Sequence, residues 1–220
     1  MYFWVGVPTI YKEEAPAAKN PHFFEDPSRS IAKIHITAFY FVPKNRKERV
    51  FAGWEQFFEE KLKKLEIFHK LQLGVRSQIE YEINPEIIFG FEDNLTYDTD
   101  VTQHGNPEAL KRILAEIEGR GFWNPPKDDE HRVALIVYEG VGASGADGVA
   151  LVSRVFLTDP RYQDNGATIL AHEFYHTLGL PDDYDLTTAV AFSEDIMGLG
   201  RERQLEKTFI KKDFLKKLGI

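Results

Sequence analysis

His172-Glu173-Phe174-Tyr175-His176 sets two imidazoles four residues apart with a carboxylate beside the first. On a helix, residues four apart share a face, so both rings can aim at one metal ion. A zinc ion that does chemistry takes three protein ligands and leaves its fourth position to water, so a third ligand is required. Asp182 is the candidate. Gly179 falls where the helix should end and can turn left-handed, and Pro181 cannot extend a helix, so the chain reverses and returns Asp182 toward the histidines. Glu173 cannot ligate while its neighbours do, which leaves it as a general base toward water. The chemistry expected of such a set is zinc-assisted hydrolysis of a peptide bond. A purely structural zinc site needs no base and is normally closed by a fourth ligand, which weighs against a non-catalytic zinc-stabilised binding or inhibitory protein.

The helix that must carry these residues has Asp164 or Asn165 as candidate caps, and Ile169, Leu170, Phe174 and Leu178 as positions to pack on a sheet. With Gly at the seventh position after the motif begins and Asp at the tenth, His172 to Asp182 resembles the metzincin metallopeptidases in the version where Asp replaces a third His. The string Gly179-Leu180-Pro181-Asp182-Asp183-Tyr184-Asp185 is similar to the immune inhibitor A group of secreted bacterial peptidases.

The resemblance implies a methionine in a tight turn beneath the metal, and Asp195-Ile196-Met197-Gly198 matches it. It also implies an edge strand antiparallel to bound substrate. Gly148, Val149, Ala150 and Leu151, continuing to Val152 and Ser153, look like that strand, and read equally as an ordinary hairpin strand. Position 199, where some metzincins carry an assisting tyrosine, is Leu. Tyr184, two residues past Asp182, reads first as a packed or exposed turn residue, with a place near the cleft as the alternative. The rival arrangement, a gluzincin, would take its third ligand from a later Glu, for which Glu194 is the candidate.

Composition narrows the remaining choices. A formal charge of −8 over 220 residues disfavours a nucleic-acid partner, and no apolar run approaches membrane-spanning length. A protein or peptide substrate and a monomeric state are expected. The chain has no cysteine, so the metal site must rest on His and carboxylates. Met1 to Ile10 lacks the basic start of a signal peptide and contains Pro8, whereas the resemblance implies secretion.

Along the chain, residues 1–30 read as an N-terminal arm or a candidate pro-segment, with Glu13, Glu14 and Asp26 as surface carboxylates. In 31–42, Ile34, Ile36 and Ala38 alternate with Lys33, His35 and Thr37, as in a strand with one buried face. Trp54, Phe57, Phe58, Leu62, Leu65, Phe68 and Leu71 predict a helix over 53–73. A strand over 77–89, a helix over 107–118 and a buried strand over 132–138 follow. The acidic stretch Glu92, Asp93, Asn94, Asp98, Asp100 reads as a solvated loop, with calcium as the alternative ligand. His22, His35, His69, His104 and His131 read as ordinary residues. The basic stretch 201–220 reads as an amphipathic helix. The expected fold is α/β (α+β), metzincin-like: a mixed twisted sheet with an antiparallel edge strand and backing helices. An upper subdomain over 31–179 includes the active-site helix, and a small lower one over 180–220 holds the Met-turn and a C-terminal helix.

Overall fold

A computed structural model of the chain describes residues 20–102, 105–123, 130–162, 165–185, 187–188 and 190–220. Glu13, Glu14, His104 and Asp164 lie outside the described residues. Strands β1 (His22–Phe23) and β2 (Asp26–Ser30) form a small antiparallel hairpin. Then come β3 (Lys33–Val42), α1 (Trp54–Leu73), β4 (Gln78–Phe89), α2 (Asn94–Tyr97) and α3 (Pro107–Gly119). After them lie β5 (His131–Tyr138), β6 (Ala143–Ala146), β7 (Val149–Ser153), α4 (Arg154–Thr158), α5 (Gly166–His176) and α6 (Lys212–Lys217).

Five strands make one mixed sheet in the order β4-β3-β5-β7-β6, parallel except for β6, which pairs antiparallel with β7. Helices cover both faces. Ile34, Ile36, Ala38 and Tyr40 of β3, with Val133, Leu135 and Val137 of β5, point into a core shared with α1 and α5. Phe39 and Phe41, with Ala134, Ile136 and Tyr138, point the other way, toward Ala109, Ile113 and Ile117 of α3. A parallel strand sandwiched between helices is apolar on both sides. The one-faced reading of 31–42 therefore holds only for its first residues; Ala38 to Val42 are buried on both faces.

Local sequence explains the helix ends. Asn106 caps α3 by accepting from Ala109 N at 3.1 Å, with Pro107 in the first turn, where a missing N–H is harmless. The 20-residue α1 runs between Gly53 and Gly74, both at positive φ.

Three expectations need correction. Gly148 to Leu151 do not lie on the sheet edge: β7 bonds to β5 on one side and β6 on the other, and its five residues are all buried. The antiparallel edge strand is β6, because the two-residue Asp147-Gly148 turn folds it outside its neighbour. The stretch 201–220 is helical only over Lys212–Lys217. Before that, Leu205 and Ile210 are drawn into the main core, and the Asp195 carboxylate fixes the Met197, Gly198 and Lys211 amides, so the chain runs in turns. The acidic stretch is not freely solvated either. Asp98 Oδ1 accepts from Asn106 Nδ2 at 2.9 Å and from the Tyr138 hydroxyl at 3.0 Å, and Asn94 is buried on Asn45.

His69 of α1 is 1 % exposed and bonds Ser77 Oγ through Nε2 at 2.9 Å, while the Tyr175 hydroxyl lies 3.3 Å from its Nδ1. Burial pushes its pKa down to about 3. The unfolded chain, with an ordinary value of about 6.5, therefore binds the extra proton as pH falls from there toward 3. Stability from this group is full above about pH 6.5 and declines below it by up to about 1.4 kcal/mol per pH unit. Urea unfolding of the parent and a His69→Gln variant between pH 7 and 4 should give a steeper acid decline in the parent. Parallel declines would remove the assignment.

Candidate active site

Helix α5 presents His172, Glu173 and His176 from its last turns, and its end is held by several donors. His131 Nε2 and the Gly148 amide reach Thr177 O at 2.9 and 3.4 Å, and the Phe24 amide reaches Leu178 O at 2.9 Å. These satisfy carbonyls that a helix terminus leaves unpaired. Asn165 stands at the start of α5 without a side-chain cap bond. Between β7 and α5 the short helix α4 intervenes, which the sequence reading did not anticipate.

Gly179 has φ +87°, the left-handed turn expected of it. The reversal does two things. It brings Leu180 O to 2.7 Å from His176 Nδ1, and it sets Asp182 Oδ1 3.3 Å from Nε2 of both His172 and His176. A Cβ on Gly179 would meet the Phe23 ring at 2.5 Å, since the hairpin packs against this turn. Gly179→Ala should therefore destabilise the fold by about 1–2 kcal/mol from the backbone alone, and more if Phe23 cannot move. A lowered urea midpoint would show it; an unchanged one would mean the turn is not under this constraint.

The three inward atoms form a nearly equilateral triangle, because the two Nε2 atoms are 3.2 Å apart and each is 3.3 Å from Asp182 Oδ1. Ligands about 2.0–2.1 Å from a tetrahedral zinc stand about 3.3–3.4 Å from one another, so the triangle is one face of such a tetrahedron. The protons point the right way. His172 Nδ1 donates to Ile196 O at 2.9 Å and His176 Nδ1 to Leu180 O, which leaves both Nε2 atoms as bare acceptors in the neutral rings. Asp182 Oδ1 is buried without a hydrogen-bond donor among the described residues. Three lone-pair donors facing one point repel one another unless a cation stands between them. Burial alone would lower the His176 pKa, but Asp182 and Glu173 raise it; Asp182, despite burial, is held far below the usual carboxylate range by the two imidazoles.

Glu173 lies beside the triangle, 8 % exposed, with its carboxylate within 4.8 Å of a ring nitrogen of each histidine. Burial raises its pKa, only partly offset by the histidines. A carboxylate so placed is more basic than one in water.

Beneath His172, Asp195 to Gly198 make a tight turn closed by Gly198 N on Asp195 O at 3.0 Å, with Met197 wholly buried. Ile196 O accepts the hydrogen bond from His172 Nδ1, and Met197 O accepts from Asp183 N at 2.8 Å. One turn thus steadies a candidate ligand and the neighbour of another. Glu194 is exposed and pairs with Arg203, away from the triangle. Asp26 opens strand β2, where its carboxylate accepts from the Ser28 amide and hydroxyl.

Strand β6 crosses α5 so closely that a Cβ on Gly145 would strike Glu173 O and lie 2.6 Å from His176 Cβ. Its Ser144, Gly145 and Ala146 line a cavity of about 360 Å³ that also contains His176 and Asp182. A second cavity of about 210 Å³, with Ala143, Phe156 and Ile169 on its wall, shares His172, Glu173 and Tyr184 with the first. The sequence reading missed Arg201 and gave the cleft only as the second reading of Tyr184. The Tyr184 ring stacks beside His172, 6.5 Å between centroids, and the Arg201 guanidinium carbon lies 3.7 Å from the Tyr184 ring centre. Only the spacing of Tyr184, two residues past Asp182, could have signalled it; nothing local marks Arg201.

No family model matches the chain, and no curated protein does. Among solved structures, the crystal structure of archaemetzincin from Methanopyrus kandleri is similar over 84% of this chain and 92% of that chain, at 18% identity with a TM-score of 0.46. The narrower likeness to the immune inhibitor A group gains no support from this comparison and rests on residues 179–185 alone.

Proposed function

We propose that the chain is a zinc-dependent endopeptidase of metzincin type, acting on proteins or peptides. The observation that carries this reading is the triangle of His172 Nε2, His176 Nε2 and Asp182 Oδ1, with spacings of 3.2–3.3 Å and an orphaned carboxylate oxygen. Two imidazoles and a carboxylate suit zinc. When bound, the ion supplies Lewis acidity, making a water acidic and polarising the carbonyl to be cut.

The remaining work falls to this chain's own groups. Glu173 takes a proton from the attacking water and passes it to the leaving amine, as its raised pKa and its place beside the histidines suit it to do. The β6 edge, not β7, offers main-chain groups to an extended substrate, so Ala143 to Ala146 replace Gly148 to Leu151 as the candidate substrate strand. Met197 supports the site through its turn. The division into an upper part ending at Gly179 and a lower part after it belongs to the same proposal, with the cleft between them.

Zinc-reconstituted protein should bind one ion per chain and cleave casein, and a chelator should abolish cleavage until zinc is restored. Stoichiometric zinc without any cleavage would instead identify a non-catalytic zinc-stabilised protein.

A further inference from the structure

Arg201 has no part in the chemistry above, yet it stands in the cleft. It lies in the 3-10 turn Leu199–Glu202 that follows the buried methionine turn, and it lines the 210 Å³ cavity with Glu173 and Tyr184. Its guanidinium carbon lies 3.7 Å from the Tyr184 ring centre, a cation–π contact that helps hold it in the cavity. Its Nη1 is buried and has no hydrogen-bond partner among the described residues. Leaving a charged donor buried without a hydrogen-bond partner is costly, and Glu173, although it feels the Arg201 charge, does not bond that nitrogen. A fork of N–H groups held rigid in a small cavity is suited to a planar carboxylate, which it can meet through two parallel bonds.

The cavity itself limits the occupant. At about 210 Å³ it is smaller than a drug-sized ligand site, so it takes a single side chain or a chain end. Phe156 and Ile169 supply apolar wall for an aliphatic stem, and Arg201 supplies the charge for its tip. Resting on the peptidase reading, we propose that Arg201 makes this cavity a subsite for a carboxylate carried by the peptide substrate, either an acidic side chain near the cut bond or the substrate's C-terminus.

The test uses zinc-loaded protein carrying Glu173→Gln, which holds peptide without cutting it, and blocked hexapeptides with Glu or Gln at every second position. In an extended chain alternate side chains share a face, so one face offers the cavity Glu or its neutral isostere. A third peptide, the Gln sequence with a free C-terminal carboxylate, separates the two sources. By fluorescence anisotropy, one carboxylate peptide should bind at least about tenfold tighter than the blocked Gln peptide, the scale of one charge-assisted bond. Adding Arg201→Gln should bring that ratio near one. Arg201→Lys should keep part of it, which a merely structural Arg would not do, and far-UV circular dichroism checks that each variant is folded. Equal binding of all three peptides, or a preference unchanged by Arg201→Gln, overturns the subsite. The parent's chelator-sensitive cleavage of casein is scored separately: cleavage without carboxylate preference removes only this inference, and carboxylate binding without cleavage removes only the peptidase reading.

Discussion

Glu173→Gln should lower peptide hydrolysis by about 10²–10⁴-fold while leaving bound zinc at the parent's level. The substitution keeps the side chain's shape and removes its ability to accept a proton. Glu173 is not a corner of the triangle made by His172, His176 and Asp182, so the ligand set is untouched. Burial already disfavours the charged carboxylate, as its raised pKa records. A neutral amide there should therefore be tolerated, and the variant should unfold at or above the parent's midpoint. Hydrolysis rates and metal content measured on the same preparation decide the matter. An active Glu173→Gln protein would reject the assigned base, and an inactive one that had also lost its zinc would assign the residue a different role.

Asp182→Ala should have the second large effect, a loss of zinc affinity of about 100-fold or more. Groups that only orient a ligand already contribute about 10–100-fold, and a direct ligand should exceed them. Its signature on stability differs between the two states. Without metal, the imidazoles that hold the Asp182 carboxylate ionised lose their partner, so the metal-free variant should lose a modest part of its stability. With metal, the parent gains stability in proportion to ligand concentration over Kd, and the variant should lose most of that gain. Thermal midpoints across a zinc titration, paired with competition against a chelating dye, measure both. Equal affinity in parent and variant would place the third ligand elsewhere, although Glu194, paired with Arg203, is poorly placed to supply it.

The residues that converge here differ in how visible they were. His172, Glu173 and His176 fall within a single helix, where spacing alone fixes which side chains are neighbours. Asp182 needed one further local inference, the left-handed turn at Gly179, and that turn is present at φ +87°. Long periodic elements were legible for the same reason. The predicted helix over 53–73 corresponds to Trp54–Leu73, and the strand over 77–89 to Gln78–Phe89. By contrast, the predicted helix over 201–220 survives only as Lys212–Lys217, because Asp195 and the core claim the backbone before it.

By itself, the sequence determined what depends on near neighbours along the chain: helix and strand periods, the histidine pair with its carboxylate, and the glycine that reverses the chain. Tertiary structure decided what depends on distant segments. The resemblance marks 148–153 as a strand, but the residues themselves are blind to what pairs with them, so only the sheet order put Ala143–Ala146 at the edge. Arg201 reaches the cleft from a turn 28 residues beyond Glu173, following a turn whose Met197 and Gly198 amides donate to Asp195, bonds that carry no periodic signal in the sequence.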